Sequence, residues 1–222
     1  MDSSNIDWGR AFSLVFEDEK WLPKVLIGAV FTLLSGIIIG IPFLLGYSLA
    51  LFRNILKEKK PILPEWDNLG ELFNDGIKLF VMLLAYGVVV WIISFLIGFT
   101  MGRIKCLGTF IIFLWDIFAA FVLIGVRAYV WGKFSETQNM SSAFQFGEII
   151  HLITENTGLI IIATLISIAL WIIGYLGMIG LFIGIFLTMF YAFIGDTYVL
   201  AMICRQAGIS HIEADESVPV ID

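Results

Sequence analysis

From residue 79 to residue 131 the chain carries only four charges, Arg103, Lys105, Asp116 and Arg127, and nearly everything between them is apolar or aromatic. That run is the strongest constraint on the fold. A helix crossing the hydrocarbon of a bilayer needs about 20 apolar residues, so the run holds two. Blocks at roughly 22–52 and 158–204 repeat the pattern. Only 14% of the 222 residues are charged and 59% are hydrophobic, against about 25% charged in soluble domains. A domain of this size leaves much of its surface exposed, so the apolar excess has to face lipid. The expected class is all-α, a polytopic transmembrane helical bundle.

The three blocks break at different signals. Proline disfavours helix in the residue before it, which divides the first block at Gly40-Ile41-Pro42; Gly102-Arg103-Ile104-Lys105 divides the second, and Gly174, Gly177 and Gly180 divide the third. Six spans follow, at about 22–39, 43–58, 79–100, 107–131, 158–175 and 181–204. With both termini on one side, that side holds 11 of the 13 Lys and Arg residues, and the other holds Arg103 and Lys105. The positive-inside rule then makes both termini cytoplasmic, in the cell membrane; a single long first span conflicts with the tally. Asp2, Asp7, Glu17, Asp18 and Glu19 crowd the first twenty residues, where a cleavable signal needs a basic start and an apolar core. The net charge of −6 lies largely in tails and loops and says little about partners.

Each segment leading into a hairpin carries an apolar residue, a glycine and an amphipathic run: Trp8-Gly9-Arg10-Ala11-Phe12, Leu69-Gly70-Glu71-Leu72-Phe73 and Phe146-Gly147-Glu148-Ile149-Ile150. The exits match more loosely, at Gly46-Tyr47-Ser48, Gly125-Val126-Arg127 and Gly195-Asp196-Thr197. The expectation is one unit used three times, over 1–60, 61–135 and 136–206. Each unit is a hairpin preceded by an amphipathic interfacial helix, and an acidic tail follows at 207–222. Surface helices are expected at 64–77 and 142–155.

The run Leu63-Pro64-Glu65-Trp66-Asp67-Asn68-Leu69-Gly70-Glu71-Leu72-Phe73, with Asp75-Gly76-Ile77-Lys78 after it, resembles the hallmark of a prokaryotic family of uncharacterised polytopic membrane proteins, a domain of unknown function. The tract from Gly46-Tyr47 to Arg53-Asn54 and the run Phe144-Gln145-Phe146-Gly147-Glu148 with Glu155-Asn156 fit the same resemblance. Asn68 and Thr157 depart from it, standing where the family often has Asp and Pro. The resemblance implies the architecture and offers no catalytic residue.

On a helix from the hallmark, Trp66, Leu69, Leu72, Phe73, Ile77 and Phe80 share one face, and Asp67, Glu71 and Asp75 line the other. Asn68 with Glu71 makes a capping box, and Pro64 stops what precedes. Such a helix can lie flat in the interface, with Trp66, Leu69 and Phe73 as anchors. In the parallel segment Ser142 caps with Gln145, and Phe146, Ile149, Ile150 and Ile153 face inward, Phe146 and Ile150 being the anchors. The acidic stripe Asp67, Glu71 and Asp75 reads first as a solvated face and second as a face for a cation or a partner protein.

Charges inside the membrane are costly and mark functional candidates. Asp116 lies mid-span, Asp196 lies in the last span, and Arg127 follows Asp116 by eleven residues on nearly the same helix face. Asp116, Ala120, Ile124 and Arg127 make one inward stripe, with Asp196 deep enough to pair with Arg127. A relay for protons or ions and a structural pair are both open readings. Intramembrane aspartyl proteolysis is disfavoured, because the residues flanking Asp116 and Asp196 do not match its patterns. His151 and His211 lie in no metal-ligand cluster, and no phosphate-binding loop or nucleophile elbow is present. Cys106 and Cys204 fall on opposite sides of the membrane and are expected to be unpaired. Gly28, Thr32, Gly36 and Gly40 recur every four residues and suit close helix packing. The functional expectation is a non-enzymatic scaffold or membrane-organising subunit, with a small transporter or channel through Asp116, Arg127 and Asp196 as the alternative. No metal, cofactor or nucleic acid is expected. The partners are the lipid bilayer and a protein at the cytoplasmic surface helices, with homo-oligomerisation open.

Overall fold

The computed structural model describes residues 6–102, 104–179 and 183–209, all helix and connecting loop with no strand among them. The expected acidic tail lies mostly outside the described residues. Eight α-helices follow in order: α1 (Arg10–Ser13), α2 (Trp21–Leu34), α3 (Gly40–Leu56), α4 (Leu69–Met101), α5 (Lys105–Thr137), α6 (Phe146–Glu155), α7 (Thr157–Leu176) and α8 (Ile183–Gln206). Short 3-10 turns lie at Leu14–Glu17, Ser35–Ile37, Met140–Phe144 and Gly177–Ile179.

Among the described residues, four stretches are long and apolar enough to cross a membrane: Leu69–Met101, Cys106–Thr137, Thr157–Ile179 and Gly184–Gln206. Helices this apolar and this long suit a multi-pass membrane protein. The first hairpin is shorter than the six-span expectation. At 1.5 Å per residue, the 14 residues of α2 and the 17 of α3 rise about 21 and 26 Å, less than the ~30 Å of a hydrocarbon core. The break also comes earlier than proline suggested, through Ser35–Ile37 and Ile38, leaving Pro42 in the first turn of α3, where it is tolerated.

The expected surface helix 64–77 and span 79–100 form one continuous helix, α4. Nothing between Lys78 and Leu79 breaks it, and Asn68 caps it as expected: its side chain accepts from Glu71 N at 3.4 Å and donates to the Glu71 carboxylate at 2.6 Å. The other two lead-in helices are separate. The α1 turn and α2 bend by 110° at residues 18–20, and α6 ends at Asn156 before α7. Asn139, rather than Ser142, opens the segment before α6, accepting from Ser141 N at 3.0 Å.

The helices pack in a ring, α2 on α3, α3 on α4, α4 on α5, α5 on α6 and α7, α7 on α8, and α8 on α1 and α2. Inside it α3, α5 and α8 also pack on one another, filling the centre with Tyr47, Phe52, Tyr129, Trp131 and Phe134, all buried. Three close approaches join each inner helix to the lead-in segment of the next hairpin. A methyl group on Gly46 would strike the Leu72 carbonyl, one on Gly125 the Ile153 side chain, and one on Gly195 the Ala11 carbonyl. Gly76 answers Gly46 across the first crossing, lying against the Pro42 carbonyl. Only glycine on both sides lets α3 and α4 backbones approach this closely.

Candidate functional site

Polar chemistry gathers at the end of the bundle that holds α1, α6 and the loop 57–68. Lys24, one turn into α2, has only 3% of its side chain exposed and holds three oxygens: Asp18 Oδ2 at 2.8 Å, Glu65 Oε1 at 2.9 Å and the Leu63 carbonyl at 2.8 Å. Asp18 is equally buried, and its other oxygen accepts from Lys20 N at 2.8 Å. Trp66 Nε1 donates to the Lys24 carbonyl at 3.0 Å, and its indole stacks on Tyr47 (4.3 Å) and Phe31 (4.8 Å). Thus Trp66 is an anchor, but a buried protein-facing one. Sequence reasoning missed Lys24 as a structural residue. The available signal was a lone lysine at the third position of the apolar run Leu22-Pro23-Lys24-Val25-Leu26, where burial demands a partner.

All four carboxylates of the hallmark line one groove of about 520 Å³ with Arg53, Lys59 and Asn54. Asp75 is not on a wet face. It is buried against Arg53 Nη1 at 3.1 Å, with Lys78 Nζ at 4.0 Å. Asp67 and Glu71 are exposed. Among the described residues no three His, Cys, Asp or Glu side chains are placed to hold a metal ion. A second cavity of about 940 Å³ on the other side of the loop is lined by Lys24, Lys59, Lys60, Glu58, Glu65 and Arg10, among others. There a bidentate pairing with Glu17 (2.8 and 2.7 Å) raises the Arg10 pKa above its ordinary value. The acids and bases of this cavity balance one another, whereas the groove sets four carboxylates against Arg53 and Lys59 and stays acidic.

Deeper in the bundle, Arg127 of α5 pairs with Asp196 of α8, as the residue order anticipated. Asp196 is fully buried and accepts a second hydrogen bond from Ser167 Oγ of α7 at 2.7 Å. Arg127 also lies over the Trp131 ring at 5.8 Å, and Trp131 Nε1 donates to Ser48 of α3 at 3.1 Å. One network therefore ties α3, α5, α7 and α8 together. Asp116 does not join it. It stands exposed among Phe113, Leu114, Ile117 and Phe118, about 16 Å along α5 from Arg127, and its side chain has no hydrogen-bond or ion-pair partner among the described residues. The residue spacing placed the two on one face, but Asp116 lies exposed, beside the seam where α5 packs on α4 and Trp115 Nε1 donates to Ser94 Oγ at 2.7 Å.

The remaining anchors face outward. Leu69 and Phe73 are each 41% exposed, and Phe146 and Ile150 each 62%. Helix α6 has three sectors: Ile149 and Leu152 buried in protein, Phe146 and Ile150 exposed and apolar, and Glu148, His151 and Glu155 exposed and polar. Cys106 and Cys204 are both free, the first exposed and the second buried.

A family model described as a protein of unknown function (DUF4013) matches residues 29–189, most of the chain. The chain belongs to that family. The DUF4013 match covers the hallmark, the close approach of α3 and α4, Arg127 and Ser167; Asp18, Lys24 and Asp196 fall outside it. No curated protein and no solved structure gives a significant match.

Proposed function

We propose that this protein is a non-enzymatic integral membrane scaffold, built from three copies of a lead-in helix and hairpin, that organises the membrane or a partner protein at its cytoplasmic face. The observation that carries the reading is the filled axis. Where a transporter of this size needs a route between α3, α5 and α8, Trp131, Tyr47, Phe52 and Phe134 pack there without exposure, and Arg127 and Asp196 satisfy each other. The triplication rests on the cyclic set of close approaches, Gly46 to Leu72, Gly125 to Ile153 and Gly195 to Ala11. The charge tally puts the α1 and α6 end, with both termini, in the cytoplasm, and the loop 57–68 there is the surface best shaped for a partner.

The transporter reading keeps one observation in its favour, the carboxylate of Asp116, exposed in an apolar hairpin and without a partner among the described residues. Purified protein in sealed vesicles separates the two. The scaffold gives no proton or sodium flux above that of empty vesicles, and Asp116→Leu raises its melting temperature. A flux that Asp116→Asn abolishes overturns the scaffold.

A further inference from the structure

We infer that hairpin α2–α3 enters and leaves the membrane on the same side, so that its apolar surface is an interface with the acyl chains of one leaflet only. The inference deepens the membrane reading above and rests on it.

The depth of the hairpin follows from its register on α4. The helices run antiparallel and cross where Pro42 and Gly46 meet Leu72 and Gly76; Phe43 meets Phe73, with ring centroids 5.2 Å apart, at the same level. Counting outward from that crossing, Gly40 at the start of α3 lies level with Lys78 and Leu79. Lys78 is the last charge of α4. From Leu79 to its end at Met101 the helix rises a further ~33 Å without a charged residue, which by itself fills a hydrocarbon core of ~30 Å. Exposed apolar side chains run along this stretch from Val81 to Phe99. The tip of α2–α3 therefore lies near the margin at which α4 begins its crossing.

The tip itself supplies a second, independent observation. Ile37, Ile38 and Ile39 are 62%, 64% and 58% exposed, and Ile38 is held at φ 71°, a left-handed conformation that suits Gly or Asn and strains a β-branched residue. A turn emerging into water is expected to use polar or glycine residues there. Three isoleucines suit a turn that stays among acyl chains. By contrast, the α4–α5 turn includes Arg103 and Lys105. Tip composition alone would also select the α7–α8 turn, where Met178 and Ile179 are exposed. Length separates the two, since α7 and α8 have 20 and 24 residues.

A hairpin occupying one leaflet adds cross-section to that leaflet and none to the other. The flanking Phe16, Leu22, Leu26 and Val30, all about half exposed, widen the apolar rim in the same layer. This gives a membrane-organising role a mechanism, an area mismatch between leaflets.

The test compares labelling sides. Cys106 reports the α4–α5 turn, and Cys204 is buried and silent. In a Cys106→Ser background, Ile37→Cys and Ile39→Cys report the α2–α3 tip separately, and Lys57→Cys reports the opposite end. A membrane-impermeant maleimide is applied to intact cells and to inverted vesicles, followed by a lipid-soluble maleimide. The expected result is that neither tip cysteine labels from the side that labels Cys106, and that both react with the lipid-soluble reagent or from the Lys57→Cys side. Labelling of either tip from the Cys106 side, at a rate within about threefold of Cys106, overturns the inference and restores six spans. If Cys106 and Lys57→Cys label from one and the same side, the membrane reading itself falls, a pattern distinct from failure of the hairpin alone.

Discussion

Replacing Lys24 with Met is the sharpest test of how the loop 57–68 is held. Met keeps most of the aliphatic stem and removes the ammonium, so packing changes little while Asp18 Oδ2, Glu65 Oε1 and the Leu63 carbonyl lose their common donor. The three losses differ in weight. Glu65 is 53% exposed, so water replaces the lysine and the loss is about 0.5 kcal/mol. Asp18 has only 2% of its side chain exposed, and stranding one partner of a buried pair costs about 3–5 kcal/mol. The expected total is about 4 kcal/mol, a fall of roughly 8–16 °C in melting temperature for a chain of this length. Thermal unfolding of purified protein in a mild detergent, followed by the reactivity of the buried Cys204, reads it directly. Glu65→Gln should shift the midpoint by less than about 2 °C. The double variant Lys24→Met with Asp18→Leu should recover more than half of the loss, because it removes the stranded charge. If Lys24→Met melts within about 2 °C of wild type, or Glu65→Gln costs more than Lys24→Met, the buried pair does not hold the loop.

Two further outcomes follow from the packing. Asp196→Ala leaves Arg127 with its principal anion gone, and since Arg127 is a quarter exposed the loss should sit at the low end, about 3 kcal/mol; Arg127→Leu with Asp196→Leu should return to within about 1 kcal/mol of wild type in the same melt. Gly76→Ala drives a methyl group into the Pro42 carbonyl and should cost about 3 kcal/mol or prevent folding, whereas Gly70→Ala, with open space around it, should stabilise by up to about 1 kcal/mol.

Much of this was legible in the chain. Hydropathy located the helices, Asn68 and Glu71 gave the capping pair of α4 although the helix was expected from residue 64 and begins at Leu69, and the order of Arg127 and Asp196 anticipated their pairing. Where the reading failed, the cause was a property that local pattern does not carry. The six-span count is not confirmed, since α2 and α3 have only 14 and 17 residues, and the tally of Lys and Arg does not distinguish two crossings from none, because a hairpin that turns back within a leaflet returns the chain to the same side as one that crosses twice. Amphipathic spacing placed Asp75 with Asp67 and Glu71, but helical periodicity names a face and not its neighbour, and α3 brings Arg53 to Asp75. The same spacing placed Asp116 with Arg127, without telling that Asp116 stays exposed beside the seam that Trp115 and Ser94 make between α5 and α4. Lys24 was counted as a topological charge, since a sequence gives no sign that the loop forty residues later returns to cover it.

The contacts of α1 bear on how the ring can assemble. Tyr191 of α8 donates to the Phe12 carbonyl, Tyr198 donates to the Asp7 carbonyl at 3.0 Å, and Gly195 lies against Ala11. Helix α1 thus has its seat on α8, 179 to 191 residues further along the chain, so this part of the ring closes only after α8 has been made. A nascent chain halted before Tyr191 should expose Trp8 and Phe12 to proteases and chaperones.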